Sequence, residues 1–248
     1  MGHAFEHSHE LTVPVSPEQA WEAIATGPGI DSWFMGRSQI ADGTVRTAFL
    51  GYTPEAHVTV SQEPSHFAYD SERGEGGRFV AYEFMIEGRE GGSTVIRTVT
   101  SGFLPGDDWE AEYDAMLKGF ALFYSTLGQY LERFPGRTAT PVTAMGPPVT
   151  DWDRAWEVLR RAIGLPGPAR VGDVVRFGPD GLPPVDGVVY FVNDNAVAVS
   201  SSDAQYRFVR GFNGSMMAMH QLFAGDAEEK TAEQGWSEWL ERIYSPSA

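Results

Sequence analysis

Histidines, one charge pair and a set of tyrosines are the residues of this 248-residue chain whose types and spacing could do chemistry. His3, His7 and His9 cluster near the N-terminus. A metal site needs ligands held in fixed geometry, and a chain end frays, so these three read as a loose terminal segment and no metal is expected. Glu83 and Arg97 sit on two strand-like segments. A symmetric turn that sets Glu87 against Ser93 would place them directly opposite each other, as an exposed cross-strand pair or as a charged pair that orients a polar ligand group inside a cavity. His57 and His66 fall at strand positions without a visible carboxylate to orient them. Asn213-Gly214 is a type I′ hairpin signal that would set His220 opposite Arg207.

Nucleophilic catalysis has little support. The chain has no Cys, no Gly-x-Ser-x-Gly turn, and Ser200-Ser201-Ser202 reads as a strand end and loop. Gly74-Glu75-Gly76-Gly77 and Gly91-Gly92 read as hairpin loops, because neither leads from a strand into a helix as a phosphate cradle does. No catalytic residue and no cofactor is therefore assigned. The formal charge of −16 at pH 7 opposes phosphate backbones and anionic lipid surfaces, so neither nucleic acid nor membrane is an expected partner. The absence of Cys fits a reducing compartment, and with no long apolar run and no signal-peptide core the chain reads as cytoplasmic. Monomer and homodimer both stay open.

The elements that must position these residues follow from periodicity. A short strand at 10–13 precedes Ser16-Pro17-Glu18-Gln19, an N-cap, a proline at the first helical position and a capping-box glutamine. The helix carrying Ala20, Trp21, Ile24 and Ala25 stops at Gly27-Pro28-Gly29, and a second short helix covers 30–34. Strands are predicted at 44–50, 56–62, 66–70, 79–87 and 93–103. Trp109, Tyr113, Met116, Phe120, Phe123, Tyr124, Leu127 and Leu131 recur at steps of three and four over 107–134, which is one broad apolar face of a long helix. Acidic residues fill its first turns, as the helix dipole favours. A Pro/Gly/Thr-rich joint at 135–148 ends this first half. Within it a strand at 142–144 opens the second half, followed by a helix at 151–163, strands at 174–177, 188–192, 196–200, 205–212 and 215–223, and a closing helix at 228–244.

The two halves echo each other. Val15-Ser16-Pro17-Glu18-Gln19-Ala20-Trp21-Glu22 returns as Val149-Thr150-Asp151-Trp152-Asp153-Arg154-Ala155-Trp156-Glu157, so two related domains are expected, 1–136 and 137–248. The stretch from Trp156 to Gly235 is 19 residues shorter than that from Trp21 to Gly119, room for two or three strands at about 5–6 residues each. A smaller sheet encloses less space, which puts any roomy cavity in the first half.

Pro17-Glu18-Gln19-Ala20-Trp21-Glu22-Ala23-Ile24 followed by Trp33-Phe34, several strands and a long terminal helix resembles the SRPBCC (START-like, helix-grip) superfamily. More narrowly it resembles the branch of bacterial homologues of the activator of the ninety-kilodalton heat-shock protein's ATPase. The second half departs from that pattern, since Pro168-Ala169 stands where Trp33-Phe34 would fall. The resemblance implies an α+β fold of two helix-grip units, each a curved antiparallel sheet around a long C-terminal helix, with an apolar cavity between sheet and helix. Relatives include lipid carriers, hormone receptors and aromatic polyketide cyclases, and fold alone does not choose among them. The expected ligand-binding set is Trp33, Phe34, Tyr82, Phe84, Glu83, Arg97, Trp109, Tyr113, Met116, Phe120 and Phe123. The expected function is binding of a small, largely apolar or aromatic molecule in the first domain without catalysis. Two alternatives stand beside it. One is a cyclase- or hydrolase-like enzyme on a polyketide-like or aromatic substrate, using Glu83, Arg97, Tyr82 and Tyr113. The other is a co-chaperone or protein-interaction module.

Overall fold

Every second side chain from His3 onward is aromatic, imidazole or apolar, and this segment is a strand in the computed structural model: β1, His3–Val13. The model describes residues 2–211, 214–225 and 228–245. The chain divides into two units, Met1–Thr138 and Ala139–Ala248.

In the first unit, α1 (Pro17–Ala25) starts on the predicted capping box, with Ser16 accepting from Gln19 N–H and the Gln19 side chain accepting from Ser16 N–H. Gly27-Pro28-Gly29 does more than stop that helix. Thr26 caps Gly29 N–H, and the triplet opens α2 (Gly27–Asp31), which lies earlier than the helix expected at 30–34. Pro at the first turn of a helix costs nothing, because its missing N–H would be unpaired there anyway. Strands β2 (Arg37–Ala41), β3 (Thr44–Ala48), β4 (Glu55–Gln62), β5 (His66–Ser71), β6 (Phe79–Arg89) and β7 (Ser93–Leu104) follow, then α3 (Trp109–Arg133). The sheet is antiparallel, in the order β1-β7-β6-β5-β4-β3-β2. Strand β2 was not foreseen: it is short and polar, and only Ser38 in it is buried.

α3 lies across one face of this sheet, as ring contacts from β1 and β6 show. The inner face of β7 carries Thr94, Ile96, Thr98 and Thr100, all buried. Gly102 belongs there too, for a Cβ would stand 2.3 Å from the Phe79 carbonyl oxygen and 2.9 Å from the Phe5 ring. Its bare Cα is what lets Phe5, directly opposite, turn inward.

The second unit runs β8 (Thr140–Pro148), α4 (Trp152–Ala162), β9 (Val174–Phe177), β10 (Val185–Asn193), β11 (Ala196–Ser200), β12 (Ala204–Arg210), β13 (Ser215–Leu222) and α5 (Glu229–Tyr244). Its antiparallel sheet has the order β8-β13-β12-β11-β10-β9. This sheet is one strand smaller than the first, where two or three fewer were expected. The rest of the length difference includes α2, whose place holds the Pro-rich stretch after α4. The fold is α+β in both units. Asn213 of the expected type I′ turn lies outside the described residues, but the register on either side is fixed. Gln205 pairs with Gln221 and Phe208 with Ala218, one residue off the expected alignment. A one-residue slip flips faces: His220 meets Tyr206 rather than Arg207, with ring centroids 5.0 Å apart.

Among the described residues, no helix is long and apolar enough to cross a membrane.

Candidate functional site

The inner face of the first unit is built from β5, β6, β7 and β1, with α3 laid over it. Aromatic rings form one wall. Trp33, whose indole N–H donates to the Ala23 carbonyl at 2.9 Å, packs against Phe34 and edge-on against Phe84. Phe34 meets Phe123 of α3 with centroids 4.6 Å apart, and Tyr82 meets Phe120 edge-on at 6.2 Å. These expected residues do come together.

Tyrosine hydroxyls supply the polar groups. Tyr69 and Tyr82 stack at 5.2 Å. Tyr124 shares a 2.7 Å hydrogen bond with Thr100. Burial pushes all three phenols above their ordinary pKa; Tyr69 feels both Tyr82 and Tyr124, and Tyr82 feels Tyr124. All three phenols therefore stay protonated at neutral pH, as hydrogen-bond donors. Among the described residues, neither the Tyr69 nor the Tyr82 hydroxyl has a hydrogen-bond partner. Neither is sealed from solvent-sized space either, because every sealed, partnerless side-chain polar atom among those residues lies in the second unit. Two donors thus keep some accessible surface on a largely buried face.

The three N-terminal histidines are not a frayed end. Paired along its whole length with β7, β1 turns His3, Phe5, His7 and His9 toward α3. His3 stacks on Trp109 at 3.9 Å, Phe5 meets Tyr113 at 5.3 Å, His7 lies parallel to Phe120 at 6.4 Å, and His9 stacks on Tyr124 at 5.3 Å. Burial and then the charge of His7 lower the His9 pKa, so its imidazole is neutral at pH 7. The signal for this was present as strict alternation. Scoring histidine as polar hid it.

Glu83 and Arg97 correct the expected set. The β6–β7 loop has three residues, with Arg89 opposite Ser93, and this sets Glu83 against Val99 and Arg97 against Met85. Gly91 and Gly92 both take positive φ, the conformation that makes such a loop cheap. Both charged residues point away from α3. Arg97 donates to Glu10 at 2.8 Å, and Glu83 bonds His66 at 2.7 Å. They stand on the outer face and belong to no internal site. Met116 is half-buried on α3, and Trp109 and Tyr113 occupy its first turns beside His3 and Phe5. Among the described residues, no group of three His, Asp or Glu side chains could hold a metal ion.

No protein-family model matches the chain, and no curated protein matches it. Among solved structures it is similar to the Aha1 dimer from Colwellia psychrerythraea, with 21% identity, 52% of this chain and 96% of that chain covered, and a TM-score of 0.42. It is similar to protein MLL2253 from Mesorhizobium loti at 22% identity, with 52% and 98% covered and a TM-score of 0.44. DynU16, described as a protein in the dynemicin biosynthetic locus, is 17% identical over 96% of each chain, with a TM-score of 0.42. Likeness at this level assigns this chain no activity.

Proposed function

We propose that the first unit binds a small, largely apolar or aromatic molecule bearing a hydrogen-bond acceptor, held between its sheet and α3 without chemical change. One observation carries this reading: the paired Tyr69 and Tyr82 hydroxyls are protonated donors without an acceptor of their own. A donor with no protein acceptor can exchange water for a ligand carbonyl or ether oxygen. The rings of Trp33, Phe34, Phe84, Phe120 and Phe123 suit a flat apolar body, while Tyr124 is already engaged by Thr100. Trp109, Tyr113 and Met116 would guard the end of α3 nearest the start of β1. The enzyme alternative asked for Glu83 and Arg97 in the cavity, and the outward direction of both removes the charged pair it needed.

Two naphthalenes of equal shape test the reading, 2-acetylnaphthalene with an acceptor and 2-isopropenylnaphthalene without one. By heteronuclear NMR titration, the ketone should bind the wild-type chain about fivefold tighter, the worth of roughly one net hydrogen bond. The Tyr69→Phe, Tyr82→Phe double variant should bind both equally. No binding of either, or a preference that survives the double variant, overturns it.

A further inference from the structure

The second unit has a cleft of its own. It opens between the turn that joins β11 to β12, the start of β10 and the first turns of α5, and its volume is about 540 Å³. That lies within the range of small-molecule sites, ~300–1,000 Å³. Its floor is aromatic and aliphatic: Tyr206 and Trp236 stand 5.5 Å apart, flanked by Val185 and Leu222. Its rim carries Asp186, Asp203 and Glu228, and among the described residues no Lys, Arg or His lines it.

Two further facts separate this cleft from a mere acidic patch. Trp236 is only 2% exposed, yet it lines the cleft, and its indole N–H has no hydrogen-bond acceptor among the described residues. Burial and the nearby Asp203 carboxylate hold the Tyr206 phenol protonated, and Asp203 lines the same cleft as the two rings. The rim carboxylates have uneven demands on them. Asp186 is taken by Arg176 at 2.9 Å. Among the described residues, the Asp203 side chain accepts only a neutral serine hydroxyl, Ser201 at 2.8 Å, and that of Glu228 a neutral threonine hydroxyl, Thr231 at 3.1 Å. Two carboxylates therefore keep their charge uncompensated at the mouth of a pocket whose floor is made of π faces.

We propose that this cleft is a second binding site, for a small organic ammonium ion with an apolar body and a hydrogen-bond acceptor. The ammonium sits at Asp203 and Glu228, where charge-assisted bonds are strongest. The body lies on Tyr206 and Trp236, whose π faces also attract cations. The acceptor takes the Trp236 indole N–H. The helix dipole at the start of α5 favours anions, but its half-charge is smaller than two full carboxylates.

Three compounds of one body and different charge test this: 2-phenoxyethylamine, 2-phenoxyethanol and phenoxyacetate, titrated into the full chain at low salt and followed by NMR. The amine should bind about fivefold tighter than the alcohol, and the acid most weakly, on the scale of one partly exposed charge pair. Shifts should centre on residues 203, 206, 228 and 236. The Asp203→Asn, Glu228→Gln variant changes only exposed side chains and should bring the amine level with the alcohol. Tyr82→Phe in the other unit should leave the amine unaffected, so this site stands or falls apart from the one in the first unit. Equal binding of all three compounds, preference for the acid, no binding at millimolar concentration, or an amine preference that survives the double variant each overturns it.

Discussion

The two units share an order of elements, strand, helix, antiparallel strands, long helix, yet they fill the space between sheet and helix differently. In the first, the strands send Thr98, Thr100, Tyr69, Tyr82, His7 and His9 toward α3. In the second, the same layer is mostly apolar, with Val189, Val197, Val199, Phe177, Phe208 and Ala218 beside Tyr206 and His220, closed by Trp236 and Trp239 of α5. Apolar side chains interlock by shape alone, whereas hydroxyls and imidazoles on an inner face also call for hydrogen-bond partners. The contrast is one of side-chain chemistry on similar scaffolds.

Removing the interlock gives the largest effect. Phe208 is fully buried, with ring contacts to Phe177, Trp236 and Trp239. Phe208→Ala should cost the second unit about 3–5 kcal/mol in transfer and cavity terms. Urea denaturation read by limited proteolysis would show the sites of 139–248 opening at lower urea while those of 1–138 hold. A uniform shift of both would mean the units unfold as one body.

A buried imidazole gives the next effect. His220 is wholly buried; its Nδ1 accepts the Arg207 backbone N–H at 3.1 Å, which leaves the proton on Nε2, edge-on to the Trp236 ring system at 4.4 Å. Burial first, then the Arg207 charge, lowers its pKa from 6.5 to about 3. The folded unit therefore binds fewer protons than the unfolded chain, and stability is full above pH 6.5 and falls as pH drops toward 3. Between pH 7 and 5 the loss should be about 2 kcal/mol, at 1.36 kcal/mol per pKa unit. His220→Gln should flatten that slope, measured as the difference in urea midpoint between the two pH values. An unchanged slope would remove His220 as its source.

Much of this was legible and some was not, for physical reasons that particular residues show. The Ser16–Gln19 capping box and the three-four spacing of α3 are local signals and fixed their helices to within about two residues. The inner face of β6 and β7 was also readable, because the true register differs from the expected one by an even number and keeps Tyr82, Phe84, Thr98 and Thr100 inward. Partners were not readable. A three-residue loop in place of a symmetric turn separated Glu83 from Arg97, and a single-residue slip gave His220 to Tyr206. The outward faces and the edge strand β1 depended on contacts far apart in sequence, such as His9 with Tyr124 and Arg97 with Glu10.

Tyrosines of the first unit should split by whether the hydroxyl has a partner. Tyr124→Phe breaks the bond to Thr100 and strands a buried hydroxyl, which should cost about 1–2 kcal/mol. Tyr82→Phe removes a hydroxyl that has nothing to lose and should change stability by less than about 0.5 kcal/mol, or raise it. Thermal melting of the two variants side by side reads the difference. Equal destabilisation would mean the Tyr82 hydroxyl is satisfied in solution and would remove the donor on which the proposed site rests.

The outer face should respond least. Glu83 keeps 41% of its side-chain surface, and its bond to His66 joins two neighbouring strands on the side away from α3. An exposed pair gains little over its two hydrated partners and contributes ~0.2–1 kcal/mol. Glu83→Gln retains size and one acceptor, so its cost should fall at the low end of that range, and the acetylnaphthalene affinity should stay within twofold, roughly the resolution of an exposed single-pair effect. The same holds for Arg97→Gln, whose partner Glu10 is on β1. A large loss of binding in either variant would mean that charge on the outer face is felt across the sheet. Neither side chain faces α3, so such coupling would blur the distinction drawn between a ligand-binding inner face and an outer face that takes no part.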